Sequence, residues 1–310
     1  SLRQNMGAVK CRTGGIAHRS PKSDFYEDAN TVKAILMKQL ATLVLLLFCT
    51  LFSHAQIPAP GNILWLKADA GAYSDAGITP AVNGQTVQQW NDQSGNANHA
   101  AQATAGLRPV FVTNVLNGQP ALRFSTHMLV TPSLDLTGTD KVDLYIVYKS
   151  SNLTGNWEAI AEHGPDYNTF KGFALFDNAQ APLTYRGMYP GHTGNGYNTK
   201  NYPFKANVFK VVNSSFDRAA GVAGEVNLRI NGKDCVLYEQ SAPYNNDNSG
   251  NYDNRPLYIG NRGNAVNSFP LVGDIAEIIL YNRKLTPAEK ISIENYLNSK
   301  YGIQCSVNNP

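Results

Sequence analysis

The chain has 310 residues, of which 26 are Lys or Arg and 23 are Asp or Glu, giving a formal net charge of +3. The positive excess lies in residues 1–55; residues 56–310 carry 19 basic and 20 acidic residues, a net charge of −1. No basic stripe remains in this second part to indicate nucleic acid or an anionic membrane as partner.

Residues 37–55 have the layout of a secretory signal peptide. Lys38 precedes an apolar run from Leu40 to Phe52, and Ser53-His54-Ala55 supplies small residues before a cut after Ala55. The run is shorter than the about 20 apolar residues of a membrane-spanning helix. We therefore expect an exported protein, secreted or at the cell surface, whose mature part has no membrane span.

The remaining chain divides around that segment. Residues 1–36 are basic and polar without apolar periodicity, and we interpret them as translated upstream sequence or a disordered segment. Residues 56–310 contain no linker or repeat, and their length is ordinary for one all-β domain.

Residues 56–310 contain many short runs of β-branched and aromatic residues between Gly, Asn, Asp and Pro. Such runs predict strands, and their regular spacing predicts an all-β sandwich or jelly roll. The predicted strands are Ile63–Lys67, Val87–Trp90, Ala121–Phe124, Leu144–Lys149, Ala159–Glu162, Phe173–Phe176, Val208–Phe216, Glu225–Ile230, Lys233–Gln240, Leu257–Ile259 and Ile275–Tyr281. Asn231-Gly232 between two of them predicts a type I′ hairpin.

One helix is predicted near the C-terminus. Thr286-Pro287-Ala288-Glu289 is a capping box with Pro at the first helical position. Ile293, Leu297 and Tyr301 follow at four-residue spacing and form one apolar stripe. Gly302 supplies the left-handed end. The stripe predicts a structural helix packed on the sandwich.

Three sequence blocks together resemble the laminin-G-like, concanavalin A-like domains of secreted bacterial proteins, within the lectin and glucanase superfamily. The blocks are LWLKADAG at Leu64–Gly71, WNDQSGNAN at Trp90–Asn98 with LNGQPALRF at Leu116–Phe124, and the long block Val272–Ile303. The resemblance implies a two-sheet antiparallel jelly roll with one C-terminal helix. It implies function weakly, because this fold carries lectins, glycan-binding modules, hydrolases, lyases and adhesion modules.

The Asp92-x-Ser94-x-Asn96-x-Asn98 run places oxygen-bearing side chains at alternate positions around Gly95. Such a loop suits a structural calcium ion, the only cofactor the sequence suggests. The same residues equally suit an Asx-type turn that satisfies its own backbone. Asp274 and Glu277 are further acids; their odd separation predicts opposite faces of a strand, so they would not share a metal.

Glu158 and Glu162 are the candidates for a catalytic pair. A retaining glycosidase needs two carboxylates about 5 Å apart. Similar glucanases place an Asp between two Glu on one strand face, whereas Ile160 holds that position here. Two exposed, non-catalytic glutamates are the alternative interpretation.

Two loop-rich segments, residues 187–204 and 242–256, alternate Tyr with Asn, Asp and Gly. Aromatic rings that pack on sugars, with polar groups that bind hydroxyls, are typical of glycan sites. The alternative is that these aromatics pin the loops to the sandwich. The candidate platform is Trp157, Tyr189, His192, Tyr197, Tyr202, Tyr244 and Tyr252.

Cys235 and Cys305 are the cysteines of residues 56–310. Oxidising conditions outside the cell would allow them to form a disulfide, and two unpaired thiols are the alternative.

These features favour a secreted, non-catalytic lectin-like module that binds a glycan or cell-surface polysaccharide, or mediates adhesion. A glycoside hydrolase or polysaccharide lyase of the same superfamily is the first alternative. A structural surface protein without a small ligand is the second.

Overall fold

The structure is a computed structural model that describes residues 31–40, 57–151, 157–165, 171–178, 185–188, 197–201, 207–220, 224–240, 250–264 and 269–304. It divides the chain into two compact units, Ser1–Gln56 and Ile57–Pro310. In the first unit, residues 31–40 are helical, and most of the predicted signal segment lies outside the described ranges. None of the helices in those ranges is long and apolar enough to cross a membrane.

The second unit is built almost entirely of short strands, which we number in chain order. They are β1 Asn62–Lys67, β2 Ala72–Tyr73, β3 Gln89–Trp90, β4 Ala100–Ala101, β5 Val110–Leu116, β6 Gln119–Phe124, β7 Leu129–Asp135, β8 Lys141–Ser150, β9 Trp157–His163, β10 Ala174–Asn178, β11 Tyr185–Met188, β12 Tyr197–Asn201, β13 Lys210–Asp217, β14 Val226–Ile230, β15 Lys233–Asp234, β16 Val236–Gln240, β17 Asn254–Ile259 and β18 Gly273–Tyr281. The helical elements are Ala68–Gly71, the 3₁₀ turn Ala105–Leu107 and the C-terminal helix Pro287–Tyr301.

The strands form two antiparallel sheets. Within the described ranges, sheet 1 has eight strands in the order β15-β14-β13-β8-β18-β6-β5, with β1 also paired to β18. Sheet 2, counted over the same residues, has ten strands in the order β16-β12-β11-β10-β9-β17-β7-β4-β3-β2. The predicted strands were thus correct in type, while six strands of the described ranges were not predicted: β2, β4, β5, β7, β11 and β12.

The hydrophobic core lies between the two sheets. Alternate residues of sheet 1, such as Leu144 and Ile146, are fully buried in one cluster with Leu175, Leu257 and Ile259 of sheet 2. Because successive strand residues point to opposite faces, one face of each sheet supplies this core. The predicted fold class, a two-sheet antiparallel sandwich with one C-terminal helix, is confirmed.

The C-terminal helix covers the outer face of sheet 1. Thr286 caps it through a capping box with Glu289, and Gly302 ends it at φ 63°. Ile293, Leu297 and Tyr301 are buried in a second cluster with Val147 and Ile279 of sheet 1, among others. The predicted caps and apolar stripe are confirmed.

The Asn231-Gly232 turn has the predicted backbone. Both residues have positive φ, 51° and 82°, and the flanking residues Ile230 and Lys233 are register partners. Asn117-Gly118 repeats this arrangement between β5 and β6, with φ values of 47° and 75°.

A β-bulge in β18 changes which face two acids share. The register shifts between Ile275 and Glu277, so one extra residue interrupts the alternation of side chains. Asp274 contacts Arg123 and Lys149, and Glu277 contacts Trp65, both on the outer face of sheet 1. The prediction that Asp274 and Glu277 lie on opposite faces was therefore wrong.

Candidate functional site

The outer face of sheet 2 carries an aromatic cluster at its centre. Phe176 of β10 packs edge to face against Trp157 of β9, with ring centroids 6.3 Å apart, and against Phe269, with centroids 5.9 Å apart. Ala159 and Ala174 complete the floor, and their small side chains leave room for the rings. Trp157 and Phe269 are half-buried, so part of each ring faces the solvent.

A charged pair borders these rings. The guanidinium of Arg262 contacts Glu162 Oε1 through Nε at 3.3 Å and Nη2 at 3.2 Å. It also lies 5.9 Å from the centroid of Phe176 and 5.6 Å from that of Phe269, within cation–π range. We call Trp157, Phe176, Phe269, Glu162 and Arg262 the outer-face cluster.

Close backbone packing fixes the loop that carries Arg262. Gly263 donates its N–H to Glu162 Oε2 at 3.1 Å, and a Cβ at this position would lie 2.7 Å from the ring of Tyr258. Tyr258 is the register partner of Glu162 on β17. Burial and, to a smaller extent, the nearby Glu162 carboxylate raise the pKa of Tyr258. Glycine at 263 therefore lets the loop press against the sheet and hold Arg262 over the rings.

The backbone register relates the outer-face cluster to one residue of the predicted platform. In the backbone register, Glu162 is paired with Ala174, Ala174 with Met188, and Met188 with Tyr197. Tyr197 thus lies in the same row of residues as Glu162, three strands away.

Sequence reasoning found only part of this site. Trp157 was predicted as a platform residue and lies in the outer-face cluster. Phe176, Phe269 and Arg262 were missed; Phe176 alternates with buried Leu175, a pattern that indicates a strand but not a ligand site. The predicted residues Tyr189, His192, Tyr202 and Tyr244 lie outside the described residues, and only the backbone of Tyr197 is described.

The prediction that Tyr252 belongs to the platform was wrong. Its side chain is 1% exposed and belongs to the core between the sheets. Its ring meets Phe173 edge to face at 5.7 Å, and the Arg218 guanidinium lies 5.5 Å from its centroid. Tyr252 therefore cannot present its ring to a ligand on the surface, although its neighbours in sequence are polar.

Glu158 and Glu162 do not form a pair. A register shift in β9 places Ile160 and Ala161 consecutively in the inner core, so the alternation reverses between the two acids. Glu158 points between the sheets, where it accepts hydrogen bonds from Ser150 Oγ and from Val272 N at 2.7 Å. Glu162 points outward to Arg262. Both are buried, 2% and 0% exposed, so the expectation of exposed glutamates was also wrong.

The Asp92 loop satisfies its own backbone. Asp92 Oδ1 accepts hydrogen bonds from the N–H groups of Trp65 and Ser94, at 2.8 and 2.9 Å. Asp92 Oδ2 accepts from Ser94 Oγ at 2.7 Å and Asn98 N at 3.0 Å. Asn96 Nδ2 donates to Ser94 Oγ. This is the Asx-type arrangement; among the described residues, no group of three or more His, Cys, Asp or Glu is placed to hold a metal.

The predicted disulfide falls partly outside the described residues. Cys235 is half-buried next to the core between the sheets, and Cys305 is not among the residues that the structure describes. The pairing stays a prediction.

No protein-family model matches the chain, and no curated protein matches it. The sialidase of Trypanosoma rangeli is similar in structure, with a TM-score of 0.51 and 14% identity over 79% of this chain and 34% of the sialidase. Domain 4 of AbnA, a GH43 extracellular arabinanase from Geobacillus stearothermophilus in complex with arabinotriose, gives a TM-score of 0.50 and 13% identity over 76% of this chain and 98% of that domain. The chain thus spans about a third of the sialidase. These likenesses show a common β-sandwich fold.

Proposed function

We propose that the second unit is a laminin-G-like, non-catalytic glycan-binding module of an exported protein, which attaches to polysaccharide or mediates adhesion at a cell surface. The observation that carries this proposal is the outer-face cluster, where two half-buried aromatic rings stand beside an oriented guanidinium. The signal-like segment around Lys38 supports export, because it has the order of charge, apolar run and small residues that secretion requires.

The cluster suits a sugar for two physical reasons. The exposed parts of Trp157 and Phe269 offer apolar surface to the C–H face of a pyranose or furanose ring. Arg262 is held by Glu162 and both phenylalanines, so it would donate hydrogen bonds to hydroxyl oxygens with little further loss of side-chain entropy.

The similar structures support the proposal only at the level of fold. The arabinanase domain, which this chain covers almost completely, is described with arabinotriose bound. This makes a sandwich of this size a suitable carrier for an oligosaccharide site, but function depends on the residues of the site itself.

The proposal that the module is non-catalytic rests on the positions of Glu158 and Glu162. A retaining hydrolase needs two carboxylates that flank the scissile bond in one cleft, about 5 Å apart. Glu158 and Glu162 point to opposite faces of sheet 2, and Glu162 is engaged by Arg262.

The proposal is tested by a glycan array probed with the full chain, with and without a chelator. The chelator arm reports whether the Asp92 loop supports binding through calcium. Binding to one glycan class is the expected result. Absence of binding to every glycan would contradict the proposal and favour a structural surface protein.

The selected glycan is then titrated by calorimetry against variants. Trp157→Ala should weaken binding about tenfold, which corresponds to about 1.4 kcal/mol. Tyr73→Ala is the matched control, because Tyr73 is a half-buried aromatic on β2 at the far edge of the same sheet. Equal losses in the two variants would show that the site lies elsewhere. Release of reducing sugar by the unmodified protein would favour the hydrolase.

A further inference from the structure

Two acids and one amine form a group inside the sandwich, separate from the outer-face cluster. Lys210 of β13 points inward from sheet 1, and Asp177 of β10 points inward from sheet 2. Their side chains are 5% and 1% exposed, and Lys210 Nζ lies 3.8 Å from Asp177 Oδ2. Glu158 of β9 is the register partner of Asp177 and is also buried. An amine and a carboxyl group therefore face each other across the core, with a second carboxyl group beside them.

Neighbouring side chains hold these three groups in place. Tyr148 donates its O–H to Asp177 Oδ2 at 3.0 Å, and Lys210 Nζ lies 5.1 Å from the centroid of the same ring. Glu158 is fixed by Ser150 Oγ and by the N–H of Val272. The arrangement is thus preorganised, with its components supplied by both sheets.

We propose that Lys210 and Asp177 are a modification site, at which an amide bond forms between Lys210 Nζ and Asp177 Cγ, with Glu158 transferring the protons. The product is an internal isopeptide cross-link between the two sheets, made by the folded chain without an added reagent.

The environment favours the reaction because charges are costly between the sheets. Burial lowers the pKa of Lys210, against the opposing effect of Asp177 and Glu158, and a proton passed from the ammonium to Asp177 leaves a neutral amine beside a neutral acid. A desolvated neutral lysine is a nucleophile. Burial also raises the pKa of Glu158 to about 7, in the range where a carboxyl group can both accept and donate a proton.

The atoms of the step balance. The lone pair of Lys210 Nζ attacks Asp177 Cγ, and the O–H of Tyr148 hydrogen-bonds to a carboxyl oxygen there. Glu158 accepts a proton from the nitrogen and returns it to the departing hydroxyl group. The C–O bond breaks, one water molecule leaves, and Glu158 returns to its starting state. No oxidant or reductant is required.

A second Lys–Asp pair, Lys149 and Asp274, differs from Lys210 and Asp177 in its surroundings. Lys149 Nζ and Asp274 Oδ2 are closer, 3.0 Å apart, but the Lys149 side chain is 20% exposed. Asp274 also binds the guanidinium of Arg123 through both carboxylate oxygens. Solvent reaches Lys149 and a second cation holds Asp274, so we expect no amide bond between them.

The bond would turn the segment from Asp177 to Lys210 into a covalently closed loop. That segment contains β11, β12 and the predicted platform residues from Tyr189 to Tyr202. A covalent link at its base would restrict the unfolded chain in the way a disulfide does, and it would serve an exported protein without depending on redox conditions.

The test is the intact mass of the full chain, purified in folded form and measured after denaturation. The N-terminal residue is read from the same sample by fragmentation, so that any cleavage is accounted for. The expected mass is one water below that of the sequence. Fragmentation of a tryptic digest should yield a branched peptide that joins Asp177 to Lys210, because trypsin does not cut after an acylated lysine. The full sequence mass in folded protein held at neutral pH would overturn the proposal.

Variants locate the bond. Lys210→Arg should restore the full mass, while the control Lys149→Arg should keep the deficit of one water. Asp177→Asn should lose ammonia instead of water and reach the same product as the unmodified sequence. Glu158→Gln should slow formation at least tenfold when denatured protein is refolded and its mass is followed in time. A deficit that persists in Lys210→Arg, or an unchanged rate in Glu158→Gln, would contradict the assignment.

Discussion

The indole Nε1 of Trp65, on the first strand of the sandwich, donates a hydrogen bond of 2.6 Å to Glu277 on the last strand. Glu277 also accepts hydrogen bonds from Tyr296 and Tyr301 of the C-terminal helix, at 3.1 and 2.8 Å, and forms an ion pair of 2.8 Å with Lys300. Its side chain is fully buried. One carboxylate therefore joins β1, β18 and the helix.

Replacing Glu277 by Ala should strongly destabilise the fold. The change removes the acceptor of Trp65, Tyr296 and Tyr301 and leaves the half-buried Lys300 with Asp69 as its remaining carboxylate. Breaking a buried ion pair costs about 3–5 kcal/mol. The matched control is Asp234→Ala, since Asp234 is paired with Arg229 but is 79% exposed; such surface pairs contribute about 0–1 kcal/mol. Urea denaturation followed by circular dichroism measures both. Similar losses in the two variants would contradict the role assigned to Glu277.

Gly260→Ala should be more destabilising than Gly84→Ala. The two glycines have nearly equal φ, 82° and 85°, so both substitutions carry the same backbone cost of about 1–2 kcal/mol. At Gly260 the new Cβ would also lie 2.7 Å from Phe124 Cε1, whereas at Gly84 nothing lies within 4 Å. Overpacking adds about 1–3 kcal/mol. Thermal denaturation of both variants measures the difference; equal melting temperatures would show that Phe124 moves aside freely.

Local signals in the sequence predicted the regular parts of the fold. Asn231-Gly232 gave the correct turn because positive φ at two positions is a property of those residue types. Thr286, Glu289 and Gly302 likewise marked both ends of the helix, because capping depends on neighbouring side chains.

The faces of the strands were less predictable. The bulges at Ile160 in β9 and Ala276 in β18 reverse the alternation, and neither residue is a glycine or another type that marks a bulge. Counting along the strand therefore misplaced Glu158 relative to Glu162, and Asp274 relative to Glu277. Tyr252 was misplaced for another reason: its polar neighbours indicate a surface loop, but its ring fills the core beside Phe173.

His163 predicts a loss of stability in acid. It is fully buried between the sheets and stacks on Phe173, with centroids 5.1 Å apart and planes 7° apart. Burial lowers the pKa of His163 to about 4, although the backbone of Leu134, the charge of Asp253 and the backbone of Arg255 oppose this effect; the charge of Arg255 adds to it. Because the unfolded chain takes up this proton near its ordinary pKa of about 6.5, protonation favours unfolding.

The contribution of His163 to stability should thus be complete above about pH 6.5 and should be lost as the pH falls toward 4. The difference of about 2.5 pKa units corresponds to about 3 kcal/mol. His163→Phe keeps an aromatic ring against Phe173 but cannot titrate. The measurement is urea denaturation of both proteins at several pH values from 7 to 4. As the pH falls, the difference in the free energy of unfolding between the unmodified protein and the variant should narrow, or reverse in favour of the variant. A difference that does not change with pH would refute the prediction.

Glu162 should affect glycan affinity through Arg262. Glu162→Gln preserves the volume of the side chain but removes the charge that holds the guanidinium and places an amide donor near it, so Arg262 should leave its position over Phe176 and Phe269. If the outer-face cluster binds the glycan, affinity should fall about fivefold to tenfold, or about 1 kcal/mol. Asp234→Asn is the control, because it weakens an Asp–Arg pair on sheet 1. Calorimetric titration against the glycan selected by the array compares the two. A loss of affinity confined to Asp234→Asn would place the ligand on sheet 1 and contradict the assigned site.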